Sequence, residues 1–276
     1  MSANPALYVY TIVPDTGADP DFGPIGINSA PVFTVSADDA GIAAVVHAGS
    51  PIAFQGSDDD VRRWVLEHSR VVERAWETCG TTLPVTFNVI VKSDAEASAD
   101  DRLRAWLRDS ADRLRSRLDA LRDRVELRIE IALDRDAVTR ESPRVEAVLR
   151  EMADKPAGMR RLLERKLEQV RKDAAAATAD QLYPDIRRRI AAITEDLVEN
   201  RRARTNPDHE FVFSAAVLTH RSNIESIGAE LARIQAEQPA ARIRFLGPWP
   251  CYSFSDPGSL DGPGAVGGAP DAALRS

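Results

Sequence analysis

Apolar and polar positions change period several times along this chain, and each change marks an element. Residues 7–13 (LYVYTIV) form an unbroken apolar run rich in β-branched and aromatic side chains that stops at Pro14, the pattern of a buried strand. Residues 32–35 and 42–47, on either side of Asp38-Asp39, predict two short strands joined by a tight turn. From Asp58 the period lengthens. Val61, Trp64, Val65, His68, Val71, Val72 and Trp76 recur at helical spacings, and three aspartates open the helix where its dipole is positive. That helix should end at Cys79-Gly80. Residues 83–91 (LPVTFNVIV) predict another buried strand, and 99–122 a helix with Leu103, Leu107, Leu114, Leu118 and Leu121 on one side. Residues 125–133 then alternate apolar and polar almost one by one, as a half-exposed strand does.

The order β, ββ, α, β, α, β over residues 1–135 predicts helices packed on a sheet, close to the ferredoxin-like pattern. Residues 136–205 carry no strand signal and read as a charged helical segment. Met159, Leu163, Leu167, Val170, Ala174 and Ala177 step by four and three, and so do Ile186, Ile190, Ile193 and Leu197. Pro184 falls between the two runs, so two helices or a sharp kink near Tyr183 are expected. Such a stripe packs either on the protein's own core or, as in a coiled coil, on a partner. Residues 206–254 read as a βαβ part forming one domain with the helical segment: a strand at 210–218, a helix at 222–236 capped by Ser222 or Asn223, and a strand at 242–246. From residue 255 the composition is Gly, Pro, Ala, Ser and Asp, and a disordered tail is expected over 255–276. The fold class is therefore mixed α and β.

Charge sharpens this division. The chain of 276 residues has a formal net charge of -7. Residues 1–91 hold 11 acids against 4 bases, whereas 92–254 are nearly balanced with 29 acids and 31 bases. No Lys/Arg cluster stands free of interleaved acids, which argues against nucleic acid as a partner. No run approaches the roughly 18 apolar residues of a membrane helix, and the first residues do not resemble a signal peptide, so no membrane insertion and a cytoplasmic location are expected. Cys79 and Cys251 fit neither a disulfide framework nor a zinc spacing.

Candidate chemistry is sparse. His47, His68, His209 and His220 have no partner at metal-ligand spacing, no GxSxG elbow occurs, and the glycines near Gly23 and Gly26 match no phosphate-binding loop. No cofactor is expected. An enzyme would have to use an unrecognised site, and the best lead is His68 with Glu73 on the helix beside Thr86. A ferredoxin-like module could also bind a regulatory small molecule.

Three segments, in order, carry a resemblance: Tyr8-Val9-Tyr10; Leu66-Glu67-His68-Ser69-Arg70-Val71-Val72-Glu73 followed by Leu83-Pro84-Val85-Thr86-Phe87; and Gly247-Pro248-Trp249-Pro250-Cys251-Tyr252-Ser253-Phe254. Over about residues 6–254 the chain resembles the gas vesicle protein GvpL/GvpF family. It departs at Cys251, where a second proline is usual, and at Thr86 and Asn88-Val89, where the family commonly has Arg and Gly-Thr. The resemblance implies a non-enzymatic accessory protein of gas vesicle formation with two modified ferredoxin-like domains. It further implies contact with the shell protein GvpA and other accessory proteins during nucleation or early assembly, and a place in the vesicle as a minor component. The residues that then stand out for partner binding are Trp64, His68 and Trp76 on the first helix, and Trp249, Tyr252 and Phe254 in the GPWPCYSF segment.

Overall fold

A computed structural model describes residues 6–17, 20–37, 40–140, 142–153, 155–200 and 208–256. Two units emerge from the pattern of contacts: Met1–Val125 together with Trp249–Ser276, and Glu126–Pro248.

Unit 1 is built on β1 (Ala6–Pro14), β2 (Phe33–Ser36), β3 (Ile42–Gly49), β4 (Leu83–Pro84) and β5 (Ile90–Val91), with strand order β2-β3-β1-β4 and β5 also on β1. Its helices are α1 (Asp58–Cys79) and α2 (Ala99–Ala120). Strand β1 is buried at all but its last position, which explains its unbroken apolar run: both faces of the sheet are covered. Tyr8, Tyr10, Val13, Ala43 and Val45 pack with Val71, Val72 and Ala75 of α1 in one core cluster. The stripe of α2, with Leu103, Leu107, Leu114 and Leu118 buried, lies outside that cluster, and α2 contacts β1, β2 and β3. Helix α1 begins where Ser57 accepts the Asp60 N–H and stops at Gly80, whose φ of 78° suits a residue without Cβ.

Unit 2 contains β6 (Arg124–Asp134), α3 (Arg135–Thr139), α4 (Pro143–Ala153), α5 (Ala157–Ala191), β7 (Asp196–Glu199), β8 (His209–His220), α6 (Ile224–Glu237) and β9 (Ala241–Trp249), with strand order β7-β8-β6-β9. Helix α5 runs against β8 and contacts α3, α4 and α6. Of the expected stripe, Leu163, Ile186 and Ile190 are buried, whereas Met159 and Ala177 are exposed; in the middle of the helix it is Ala175 and Ala179 that turn inward.

Several expectations need correction. The alternating strand at 125–133 belongs to the second sheet, so the division falls at Val125 and not after residue 135. The last segment likewise leaves the βαβ part: Trp249 onward belongs with unit 1, where Cys251 and Phe254 are buried. The run 83–91 is no single strand but two short ones separated by a turn, both antiparallel to β1. Helix α5 continues through Pro184, because Ile186 and Ile190 beyond the proline are buried. Leu197 is not on a helix but in β7, paired with Val217. The cap before α6 is neither Ser222 nor Asn223: His220 accepts the Ser222 N–H ahead of a short 3-10 turn, and Asn223 makes no capping bond. The expected turn at 38–39 lies outside the described residues, as does the tail expected over 255–276 apart from Ser255 and Asp256, of which Ser255 donates its N–H to the Cys251 carbonyl at 2.8 Å.

Candidate functional site

The polar chemistry of unit 1 is gathered where α1 crosses β1. A register shift between Val9 and Thr11 lies beside the alternate residues Tyr8 and Tyr10, which belong to the cluster packed with α1. There each tyrosine meets a histidine. The Tyr8 hydroxyl accepts the Asn88 N–H at 3.0 Å and donates to His68 Nδ1 at 3.0 Å, because the other ring nitrogen faces a carbonyl, which can only accept. His68 then carries its proton on Nε2 and donates it to the Val85 carbonyl at 3.1 Å. The Tyr10 hydroxyl accepts the Ile27 N–H at 2.8 Å and donates to His47 Nδ1 at 2.7 Å. The His47 ring stacks on Tyr8 at 5.1 Å between centroids, and Phe54 and Phe87 present their edges to the same tyrosine.

Burial sets the protonation states. It lowers both imidazoles to about 4; for His68 the Val85 hydrogen bond opposes the shift and His47 adds to it. Burial also pushes both phenols far above their ordinary range, against the hydrogen bonds from Asn88 and Ile27. Two neutral histidines and two neutral phenols follow near neutral pH, joined by bonds that suit the neutral forms.

Two asparagines hold the surrounding loops. Asn28 and Ser29 have φ of 56° and 60°, left-handed values that cost a non-glycine residue about 1–2 kcal/mol. Glu67 of α1 accepts the Asn28 N–H at 2.9 Å, and the Asn28 side-chain oxygen accepts from Arg63 at 3.0 Å and from the Trp64 indole N–H at 3.2 Å. Asn88, with φ of 72°, clamps Phe54 in both directions: its Oδ1 accepts the Phe54 N–H at 2.9 Å and its Nδ2 donates to the Phe54 carbonyl at 3.0 Å.

Of the residues singled out from sequence, His68 is only 4% exposed and Phe254 is 5% exposed. Neither presents a contact surface; they support their neighbours. Trp64, Trp76, Trp249 and Tyr252 are half-buried. Trp64 packs on Phe54, and Tyr252 leans on the core cluster around Tyr8 and Tyr10. The helix and the GPWPCYSF segment thus meet in unit 1. The lead joining His68 to Glu73 and Thr86 dissolves, because the bonds of the His68 ring go to Tyr8 and Val85. Sequence reasoning missed His47, Asn28 and Asn88. A usable signal existed for Asn88: asparagine is the side chain that most readily replaces glycine in a left-handed position.

A shallow recess of about 520 Å³ lies elsewhere in unit 1, between Leu7, Phe33 and Ala48 of the sheet and the chain from Ser93 to Asp101. Its acids are largely engaged. Asp94 pairs with Arg102, Asp100 with Arg104, and Asp101 closes a capping box with Ser98.

Comparison with known proteins adds the biological context. The family model described as gas vesicle synthesis protein GvpL/GvpF matches residues 6–256. Gas vesicle protein L1 of Halobacterium salinarum is 26% identical over 259 residues, which are 90% of this chain and 89% of the relative. Gas vesicle protein L of Haloferax mediterranei is 25% identical over 245 residues, covering 85% and 74%. Among solved structures, the gas vesicle protein GvpF from Anabaena sp. PCC7120 superposes with a TM-score of 0.65 at 19% identity, over 91% of this chain and 98% of that one. GvpF from Microcystis aeruginosa gives 0.59 at 18% identity. These likenesses establish a shared mixed α and β fold with antiparallel pairing. Among the described residues no helix is long and apolar enough to cross a membrane.

Proposed function

Because this chain belongs to the gas vesicle synthesis protein GvpL/GvpF family, we propose that it acts without catalysis, binding the shell protein GvpA and other accessory proteins while a vesicle is nucleated or begins to assemble. It then remains with the vesicle as a minor component, made in the cytoplasm. The observation that carries this reading is the family match along residues 6–256, spanning both units. The buried network supports it: the groups most like catalytic ones, His68 and His47, are spent holding Tyr8 and Tyr10. A strongly apolar shell subunit needs a soluble partner before assembly, and a charged protein with half-buried aromatic residues suits that task. In this reading Trp64, Trp76, Trp249 and Tyr252 offer contact area, while His68 and Phe254, being buried, do not.

The same proposal includes the ferredoxin-like ancestry of both units. In unit 2 the element order βα…ββαβ with strand order β7-β8-β6-β9 supports it. Unit 1 is the more modified, with β4 and β5 replacing one continuous strand. A coiled-coil contact through the second half of α5 is not favoured, since Ala175, Ala179, Ile186 and Ile190 are buried in its own unit.

The test is co-purification. Tagged full-length chain, expressed with its neighbouring gas vesicle genes, is expected to retain GvpA or accessory proteins, and Trp64→Ala with Tyr252→Ala is expected to weaken that retention. Retention of none of them, with vesicles still forming in a deletion strain, overturns the reading.

A further inference from the structure

The end of the α4–α5 hairpin carries an apolar surface that nothing among the described residues covers. Leu149 is 45% exposed, Met159 57% and Leu162 69%, whereas Val145, Val148 and Leu163 of the same helices are buried. Single exposed leucines are ordinary. Met159 and Leu162 go beyond that: they stand one turn apart on one face of α5, and from the next turn of that face a 2.8 Å ion pair from Lys166 to Glu151 holds α4 alongside, only residues 154–156 separating the helices. Met152 and Met159 are the only methionines after position 1, and both sit here. Methionine is the apolar side chain that adapts most readily to a partner's shape.

This end of unit 2 is basic. Residues 143–166 hold seven bases against four acids in a chain whose net charge is -7. Glu146 and Glu151 already pair with Arg150 and Lys166. Arg161 and Arg165, flanking Leu162 in sequence, make no ion pair with any described residue. A second copy would bring the same basic residues together and be repelled, which argues against a self-paired contact. A phosphate backbone offers nothing apolar to Met159 and Leu162. Two packed helices expose no strand edge, so an added element packs into the groove between them as a third helix.

We propose that this end of unit 2 is a docking site for an amphipathic helix whose apolar stripe is flanked by aspartates and glutamates. The stripe covers Met159 and Leu162, and the acidic flanks meet Arg161 and Arg165. The proposal stands on the hairpin itself and does not depend on which vesicle component carries the helix.

Two labelled model helices of roughly 20 residues test it against the full chain by fluorescence anisotropy, one with a leucine stripe flanked by glutamates and one with the same stripe flanked by lysines. The glutamate helix is expected to bind, and more weakly as salt rises from about 50 to 300 mM. Leu162→Asp is expected to reduce binding about tenfold or more, and Arg161→Glu with Arg165→Glu to transfer the preference to the lysine helix. All three positions are exposed, so melting curves should match the parent. Equal binding of the two helices, or glutamate-helix binding that survives both sets of substitutions, overturns the proposal. So does binding to anionic lipid vesicles in place of the helix, or self-association that Leu162→Asp abolishes.

Discussion

At position 88 a left-handed backbone and a two-way clamp on Phe54 coincide, in the place where the family commonly carries glycine. Glycine satisfies the backbone requirement; asparagine satisfies it at a small cost and adds two hydrogen bonds. Asn88→Gly is therefore expected to lose about 1–2 kcal/mol through those bonds, and Asn88→Ala about 1 kcal/mol more, because alanine keeps the strain without the clamp. Chemical denaturation of the two variants checks the order; an alanine variant as stable as the glycine one refutes it. The histidines give a second residue-level expectation. Their folded values near 4 lie below the ordinary 6.5, so the unfolded chain binds protons that the folded chain refuses. The stability they contribute is complete above pH 6.5 and is lost as pH falls toward 4. For the fully enclosed His68 the loss is about 3 kcal/mol at most, and for His47 it is less. Unfolding free energy measured from pH 4 to 7 should rise with pH, and His68→Gln should flatten the rise; an unchanged slope counts against the assignment.

Among the elements, those whose periodicity reflects a single environment were legible in sequence. Helix α1 begins and ends where Ser57 and Gly80 place it, and β1 reads as buried because it is covered on both sides. The failures occur where tertiary contacts decide. The run 83–91 follows β1 but breaks at Asn88, since a left-handed residue cannot continue a strand. Leu197 continues the spacing of Ile186 and Ile190 yet lies in β7, where Glu199 receives Arg187 and the Tyr183 hydroxyl. Those two bonds, with Ile186 and Ile190 buried, also hold α5 together across Pro184, whose missing N–H and ring cost roughly 3 kcal/mol in a helix interior. Pro184→Ala should raise stability by about 1–3 kcal/mol and leave far-UV circular dichroism unchanged. A fall in melting temperature would mean that the proline is required by the packing. The candidate site was half legible: the helix stripe revealed His68 and Trp64, but the pairing of His68 with Tyr8 needs α1 laid across β1, sixty residues away in sequence, which no local pattern encodes.

For the whole molecule, the charge asymmetry seen in sequence survives in the structure, while the place where the chain divides does not. Unit 1 is made of two stretches of chain with unit 2 inserted between them. Its closing segment is well anchored: Cys251 and Phe254 are buried, and the Phe254 carbonyl accepts from Arg117 of α2 at 2.5 Å. A chain stopped after Pro248 should therefore lose about 3–5 kcal/mol of stability in unit 1, seen as early loss of amide-exchange protection in β1 and α1. Protection equal to that of the full chain would show the segment to be dispensable. This insertion also has a consequence for synthesis. At translation rates of about 5–20 residues per second, the ribosome takes on the order of ten seconds to make the stretch between Val125 and Trp249. Throughout that interval the nascent N-terminal sheet waits with its last apolar contacts unmade, so the protein completes its own first unit only after the whole of unit 2 has been made.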